Sequence, residues 1–206
     1  MITEADARVL EYDSTIVLMA GGHITPLAHD TLRARRVSVV AEGVAAGDES
    51  LAPVAAIRTV AVAGDHTARA LIGDLLRHLR GRGLAAHDLS PATTDPVDYP
   101  DTAAAAARAV AQGEADAGVV IDGAGLGSAI AANKIAGVRA AMCLDATLAR
   151  YAREHCGANV LALGARLVTL EQARTIVDAF LATPMREARY IRRLAKIRQL
   201  ERRSTE

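Results

Sequence analysis

A chain of 206 residues can bury one sizeable core, or one domain and a small module. Its 24 basic and 24 acidic residues cancel, which leaves no overall electrostatic pull toward nucleic acid or acidic membranes. Two cysteines, Cys143 and Cys156, make no disulfide framework and point to a reducing cytoplasm. No apolar run approaches the ~20 residues of a membrane helix, and the start, with acidic Glu4 and Asp6, lacks the basic-then-apolar order of a secretion signal.

In chain order, a short apolar strand over Ile16 to Met19 is followed by Gly21-Gly22 and a helix over Leu27 to Arg35. Thr25 is its expected N-cap, with Pro26 at the first helical position. A second strand covers Val37 to Val40. Residues 42–57, with Gly43, Gly47, Asp48, Ser50 and Pro53, read as a linker between a module at 1–41 and a domain at 58–206. From Arg58 strands are expected at 59–63, 84–88, 117–121, 138–142 and 159–163, and helices near 67–81, 101–113, 128–134, 145–155, 170–182 and 186–202. Strand and helix alternate, so the sheet is expected to be parallel and covered by helices.

The segment Val119-Val120-Ile121-Asp122-Gly123-Ala124-Gly125-Leu126-Gly127-Ser128 carries the most chemistry. An apolar strand enters it and a helix-forming run leaves it, with glycines at alternate positions between them. Such a turn presents backbone N–H groups to a phosphate or a developing oxyanion, and Asp122 is its one proton-transfer group. A Gly-rich turn of this kind is as often structural as functional. Ser128 is expected to be the N-cap of the following helix, the alternative being a hydroxyl donor to the site. His23, His29, His78 and His87 are scattered without ligand spacing, so no metal site is expected.

From Thr59 to about Arg202 the chain resembles the ribose-5-phosphate isomerase B and galactose-6-phosphate isomerase family. The resemblance rests on Ala63-Gly64-Asp65-His66, Asp98-Tyr99-Pro100-Asp101, Gly113-Glu114-Ala115-Asp116, Ile130-Ala131-Ala132-Asn133-Lys134 and Arg153-Glu154-His155. It rests also on Ala158-Asn159-Val160, Leu163-Gly164-Ala165-Arg166 and the terminal Arg189 and Arg193. It implies an α/β fold, a doubly wound parallel sheet in a Rossmann-like three-layer sandwich, here with a small N-terminal strand–helix–strand module. It also implies a homodimer or dimer of dimers with shared active sites, interconverting aldose and ketose phosphates without metal or other cofactor.

The resemblance further assigns roles. His155, assisted by Asp65, opens the sugar ring; imidazole suits this because its pKa of about 6.5 makes both forms accessible near neutrality. Asp65 is equally readable as a helix N-cap, and His155 as a helix-terminal histidine. The family's proton-shuttling base is usually a cysteine where this chain has Asp122. A carboxylate, with a reference pKa of about 3.9, is the weaker base unless an apolar setting raises it. The A subunit of galactose-6-phosphate isomerase resembles the chain here, with an Asp after the strand and a Ser matching Ser128. Gly123, Gly125, Gly127 and Ser128 would donate to the enediolate; Asn133 would line the same substrate site. Arg166, Arg189 and Arg193 would hold the phosphate with His66, and Tyr99 is a substrate contact or a packing residue. Arg189 and Arg193 also fit a solvated basic helix face. Ala124, Cys156 and Tyr190 stand where the family commonly has Thr, Asn and His.

Residues 1–41 fall outside that family. Ile2-Thr3-Glu4-Ala5 and His23-Ile24-Thr25-Pro26-Leu27-Ala28-His29-Asp30 resemble the N-terminal segment of ethanolamine-utilisation enzymes such as the cobalamin adenosyltransferase. That likeness implies association with a bacterial microcompartment, as cargo or on its shell; the plain alternative is an extension that stabilises an oligomer. Three functions follow: an isomerase of a small phosphorylated sugar with Asp122 as base, a non-catalytic or partner-dependent subunit, or an enzyme acting on another small anionic metabolite.

Overall fold

The computed structural model describes residues 1–19, 21–41, 51–93, 95–185 and 187–203, so most of the expected linker, 42–50, lies outside the described residues. Two compact units are formed, one from within 1–52 and 187–200, the other from within 53–186 and 201–206.

The first unit holds α1 (Glu4–Arg8), β1 (Thr15–Leu18), α2 (Pro26–Ala34) and β2 (Ser38–Ala41). Thr25 caps α2 as expected, its hydroxyl accepting from Ala28 N–H at 3.3 Å, with Pro26 in the first turn. β1 and β2 pair in parallel around a small core of Ala7, Ile24, Ala28, Leu32 and Val37. Helix α1 has no counterpart among the expected elements. Five residues are too short to show a helical period, and what stabilises them is local: Thr3 and Asp6 form a reciprocal capping box.

The second unit contains β3 (Thr59–Gly64), α3 (Arg69–Gly81), β4 (Ala85–Asp88), α4 (Tyr99–Ala111), β5 (Ala117–Asp122), α5 (Leu126–Ala132), β6 (Ala140–Met142), α6 (Ala146–Cys156), β7 (Val160–Gly164) and α7 (Leu170–Ala182). A last helix, α8 (Ala188–Arg203), belongs largely to the first unit. All five strands are parallel, in the order β4-β3-β5-β7-β6. This is a doubly wound α/β sandwich, and the direction in which strands are added to the sheet reverses between β3 and β5. Ligands in such sheets bind outside the carboxyl ends of the strands at that reversal. At the opposite end, Asp116 Oδ2 accepts N–H groups of Arg58 (2.7 Å) and Thr59 (2.9 Å), which pins the start of β3 beside β5.

Residues alternate strictly between the two faces of the sheet. Val60, Val62, Val119, Ile121, Leu161 and Leu163 join α3, α6 and α7 in one core with Leu75, Leu79, Ile176 and Phe180. Ala61, Ala63, Val120, Val160 and Ala162 face the other way, onto the alanines of α4. The two layers therefore differ in thickness. Alanine against alanine lets α4 lie close to the strands.

Helices α3 and α7 are joined by a polar seam: buried Asp74 receives two guanidinium bonds from Arg174, one at 2.7 Å, and Arg77 lies 3.5 Å away. Hydrogen bonding from Arg174 holds the Asp74 carboxyl below the usual carboxylate range, against the upward push of burial. A depressed folded-state pKa stabilises the fold above the unfolded pKa, and that stability is lost as pH falls through the folded value. Asp74→Asn is therefore expected to lower the urea midpoint at pH 7, with the gap to the wild type closing below about pH 4. A constant gap across that range would show that the ion pair contributes nothing.

Candidate active site

At the carboxyl ends of β3, β5 and β7, three loops meet. The chain leaves β3 through Asp65, whose N–H donates to Ile121 O at 3.1 Å. A side chain at Gly64 would sit 2.5 Å from that same oxygen, so only glycine allows the two strand ends to lie this close. Asp65 is buried. Its Oδ1 accepts the N–H (2.8 Å) and the hydroxyl (2.6 Å) of Thr67. It does not cap α3, which starts at Arg69 with Ala68 at its N-cap. Beside Asp65 a cleft of about 400 Å³ opens, lined among others by Arg69, Asp88 and Ser90.

The glycine loop after β5 is organised by Asp122 itself. One carboxylate oxygen accepts N–H groups of Ala124 (2.7 Å) and Gly125, and the other accepts Ser128 N–H at 2.7 Å. One expectation is corrected here, and one condition is not met. Ser128 is not the N-cap: α5 begins at Leu126, Gly125 in the left-handed region is its N-cap residue, and the Asp122 carboxylate supplies the capping bond. The Ser128 hydroxyl is fully buried beside that carboxylate, outside strict hydrogen-bond geometry but close enough to favour its charged form. Nor does an apolar setting raise the Asp122 pKa. Burial pushes the carboxyl up, but the Ser128 hydroxyl nearby and the N–H groups of Ser128, Gly125 and Ala124 outweigh it and hold it below the usual range. Three of the N–H groups expected to face an oxyanion are thus occupied by the protein's own carboxylate.

Around this loop stand Arg166, Thr67 and Tyr99. Arg166 follows β7, and its N–H donates to Gly123 O at 3.0 Å. A Cβ at Gly123 would lie 3.7 Å from Arg166 Nε and 3.8 Å from Thr67 Oγ1, so both side chains border the bare glycine. A Cβ at Gly127 would lie 2.6 Å from the Tyr99 ring, which covers the loop from the start of α4. Thr67 was not singled out in the sequence; only its place two residues after Asp65, where an Asx turn would put it, could have marked it. His66 is exposed beside it.

Two expected site residues stand elsewhere in the chain. Helix α6 runs back from the carboxyl end of β6, so His155 lies close to the turn leading into β7, where Gly157 O accepts Arg139 Nε at 2.7 Å. The Gly118–Val160 and Asp122–Gly164 pairs mark the two ends of the β5–β7 ladder, about 13 Å apart at ~3.3 Å per residue. His155 and Asp122 therefore belong to opposite strand ends of one sheet. The His155 ring stacks on Tyr151 at 4.8 Å, with Nε2 3.9 Å from Glu154. Asn133 follows α5 at the amino end of the strands too: its amide donates to Ala129 O (2.9 Å) and Ala140 O (2.8 Å), and its oxygen accepts from Ala140 N–H (2.8 Å). Both amide hydrogens are committed to backbone, so Asn133 closes the α5–β6 turn.

Arg189 and Arg193, on α8, flank the buried Tyr190, with guanidinium carbons 4.9 and 5.4 Å from its ring. Cys156 is exposed at the end of α6, while Cys143 is buried and its thiol is pushed up to about 11 by burial, which leaves it unreactive. Among the described residues no group of three or more His, Cys, Asp or Glu could hold a metal ion, and no helix is long and apolar enough to cross a membrane.

Residues 60–197 match the model of a family described as Ribose/Galactose Isomerase. Ribose-5-phosphate isomerase B of Escherichia coli is 40% identical over 147 residues, covering 71% of this chain and 99% of that relative. The structure of ribose-5-phosphate isomerase B from Clostridium thermocellum superposes with a TM-score of 0.69 at 40% identity, over 71% of this chain and 99% of the other. The Mycoplasma genitalium ribose-5-phosphate isomerase B, solved with bound ribulose-5-phosphate, gives a TM-score of 0.67 at 38% identity, over 70% and 96%.

Proposed function

The chain belongs to the ribose/galactose isomerase family, and from that premise we propose that it interconverts a small aldose phosphate and its ketose, of the ribose-5-phosphate and ribulose-5-phosphate type, through an enediolate. The observation that carries this reading is the convergence of Asp65, Thr67, Asp122 and Arg166 on one glycine loop at the reversal point of the sheet.

In this reaction His155 with Asp65 would open the ring, Asp122 would move the proton between C1 and C2, and Arg166 with His66 would hold the phosphate. The loop N–H groups from which Asp122 does not accept, at Gly123, Leu126 and Gly127, would face the enediolate oxygens. Because His155 and Asp122 sit at opposite strand ends, the proposed site takes its histidine from a second copy of the chain. Exposed Leu126 and Ile130 on α5, and Leu148 and Tyr151 on α6, give apolar surface for that pairing.

A second reading is favoured by one observation. The Asp122 carboxylate is bonded by three N–H groups and held below its usual range, which makes it a weak base. A subunit that needs a partner chain to supply the base fits that geometry. For residues 1–41, the likeness to microcompartment enzymes supports a shell or cargo partner. Proton NMR of the purified protein alone in deuterated buffer, with four- to six-carbon sugar phosphates, tests the main proposal. Isomerisation with exchange of the C2 hydrogen is expected. Absence of exchange with every sugar would move the assignment to the partner-dependent reading.

A further inference from the structure

Arg153 is among the most deeply buried side chains of the molecule, 1% exposed, and it carries a charge. Its Nη1 donates to Ala158 O at 2.9 Å and its Nη2 to Val54 O at 2.6 Å, while the guanidinium lies over the Phe180 ring at 5.2 Å. Nε is buried without a hydrogen bond, and among the described residues no carboxylate lies within ion-pair distance. Burial lowers its pKa to about 10. Closing a turn with a desolvated cation is costly, since apolar packing of similar volume would do so more cheaply. What a guanidinium adds is direction: a rigid fork that fixes several acceptors at once.

The acceptors are those of the turn that ends the helix of His155. Helix α6 stops at Gly157, in the left-handed region, and Ala158 N–H turns back to Ala152 O at 2.9 Å. The two carbonyls that follow, of Gly157 and Ala158, are taken by Arg139 Nε at 2.7 Å and by Arg153 Nη1. Two guanidiniums thus grip consecutive carbonyls just beyond His155. Arg153, two residues before the histidine, also ties this turn to the segment that leads into β3.

We propose that Arg153, with Arg139, is a positioning residue for His155, holding the last turn of α6 so that the imidazole is presented for ring opening. This rests on the reading of His155 as the ring-opening group. It separates the two halves of the reaction: a ring-closed aldopentose 5-phosphate needs His155, whereas the ketopentose 5-phosphate has no free hydroxyl placed to close a furanose and enolises directly.

The test measures, in the full-length protein, turnover of ring-closed ribose 5-phosphate and deuterium exchange at C1 of ribulose 5-phosphate. For Arg153→Lys the expected result is a loss of at least about tenfold in turnover of the aldose, mainly in kcat, with exchange of the ketose within about twofold of the wild type. His155→Ala should show the same split. Arg139→Gln, at a less buried guanidinium on the neighbouring carbonyl, gives the same readout should Arg153→Lys not fold. Equal losses in both reactions, or none, in the arginine variants beside a split in His155→Ala would overturn the positioning role alone. No split in His155→Ala would overturn the ring-opening role of the histidine, and the inference with it.

Discussion

Asp122→Asn is expected to reduce isomerisation at least about 100-fold, the lower bound for removing a proton-transfer group, and to weaken the fold at the same time. The amide oxygen can keep the bonds from Ala124 and Gly125, but its NH2 then meets Ser128 N–H, donor against donor. Losing a charge-assisted bond inside the protein and leaving an N–H unpaired should cost about 1–3 kcal/mol. Urea unfolding and the C2 exchange rate, measured on one preparation, separate the two effects. A stable variant with near-normal rate would remove Asp122 from the chemistry; a destabilised variant with near-normal rate would leave it only as the brace of the loop.

The second large effect is expected at Gly125. Its φ of +78° lies in the left-handed region, and a Cβ there would stand 2.8 Å from the Leu163 carbonyl carbon and 2.9 Å from Gly164 N. Strain of about 1–2 kcal/mol for the backbone conformation adds to an overpacking cost of about 1–3 kcal/mol. The neighbour cannot yield, because β7 is hydrogen-bonded on both sides within the sheet. Gly125→Ala should therefore unfold at clearly lower urea and lose activity, since the loop must leave Arg166 to relieve the clash. Gly127→Ala is the informative contrast. There the clash is with the ring of Tyr99, an exposed side chain that can swing aside, so about 1 kcal/mol or less is expected.

The layers of the second unit were legible because strand and helix periods were clean. Helix α7 starts and ends where expected, at Leu170 and Ala182, with a Thr169–Gln172 capping box at its start. β3, β5 and β7 fall within a residue of expectation at either end. What was not legible depends on distance in space rather than in sequence. That the Asp122 carboxylate turns inward onto its own loop follows from where the backbone places Gly125 and Ser128, and no spacing rule encodes it. Thr67 and Arg153 matter through partners on other elements, and the place of His155, at the opposite strand ends from Asp122, follows from the direction of α6. Asn133 sits in the run quoted for the family resemblance, yet all its described bonds are to backbone at the amino end of the strands.

The unequal faces of the sheet carry a consequence for how this chain can change over time. On the side of α3, α6 and α7 the core is built of Leu, Ile and Phe, so most accepted substitutions will be trims whose cost scales with the void they leave. On the side of α4 the buried positions at Ala61, Ala63, Ala103, Ala106 and Ala107 have almost nothing to lose and no room to grow. A complete substitution scan should show opposite asymmetry on the two sides: large residues rejected at the alanines, small ones rejected across the sheet. Drift on the alanine side would then require paired exchanges, so that face should diverge in steps while the other diverges gradually.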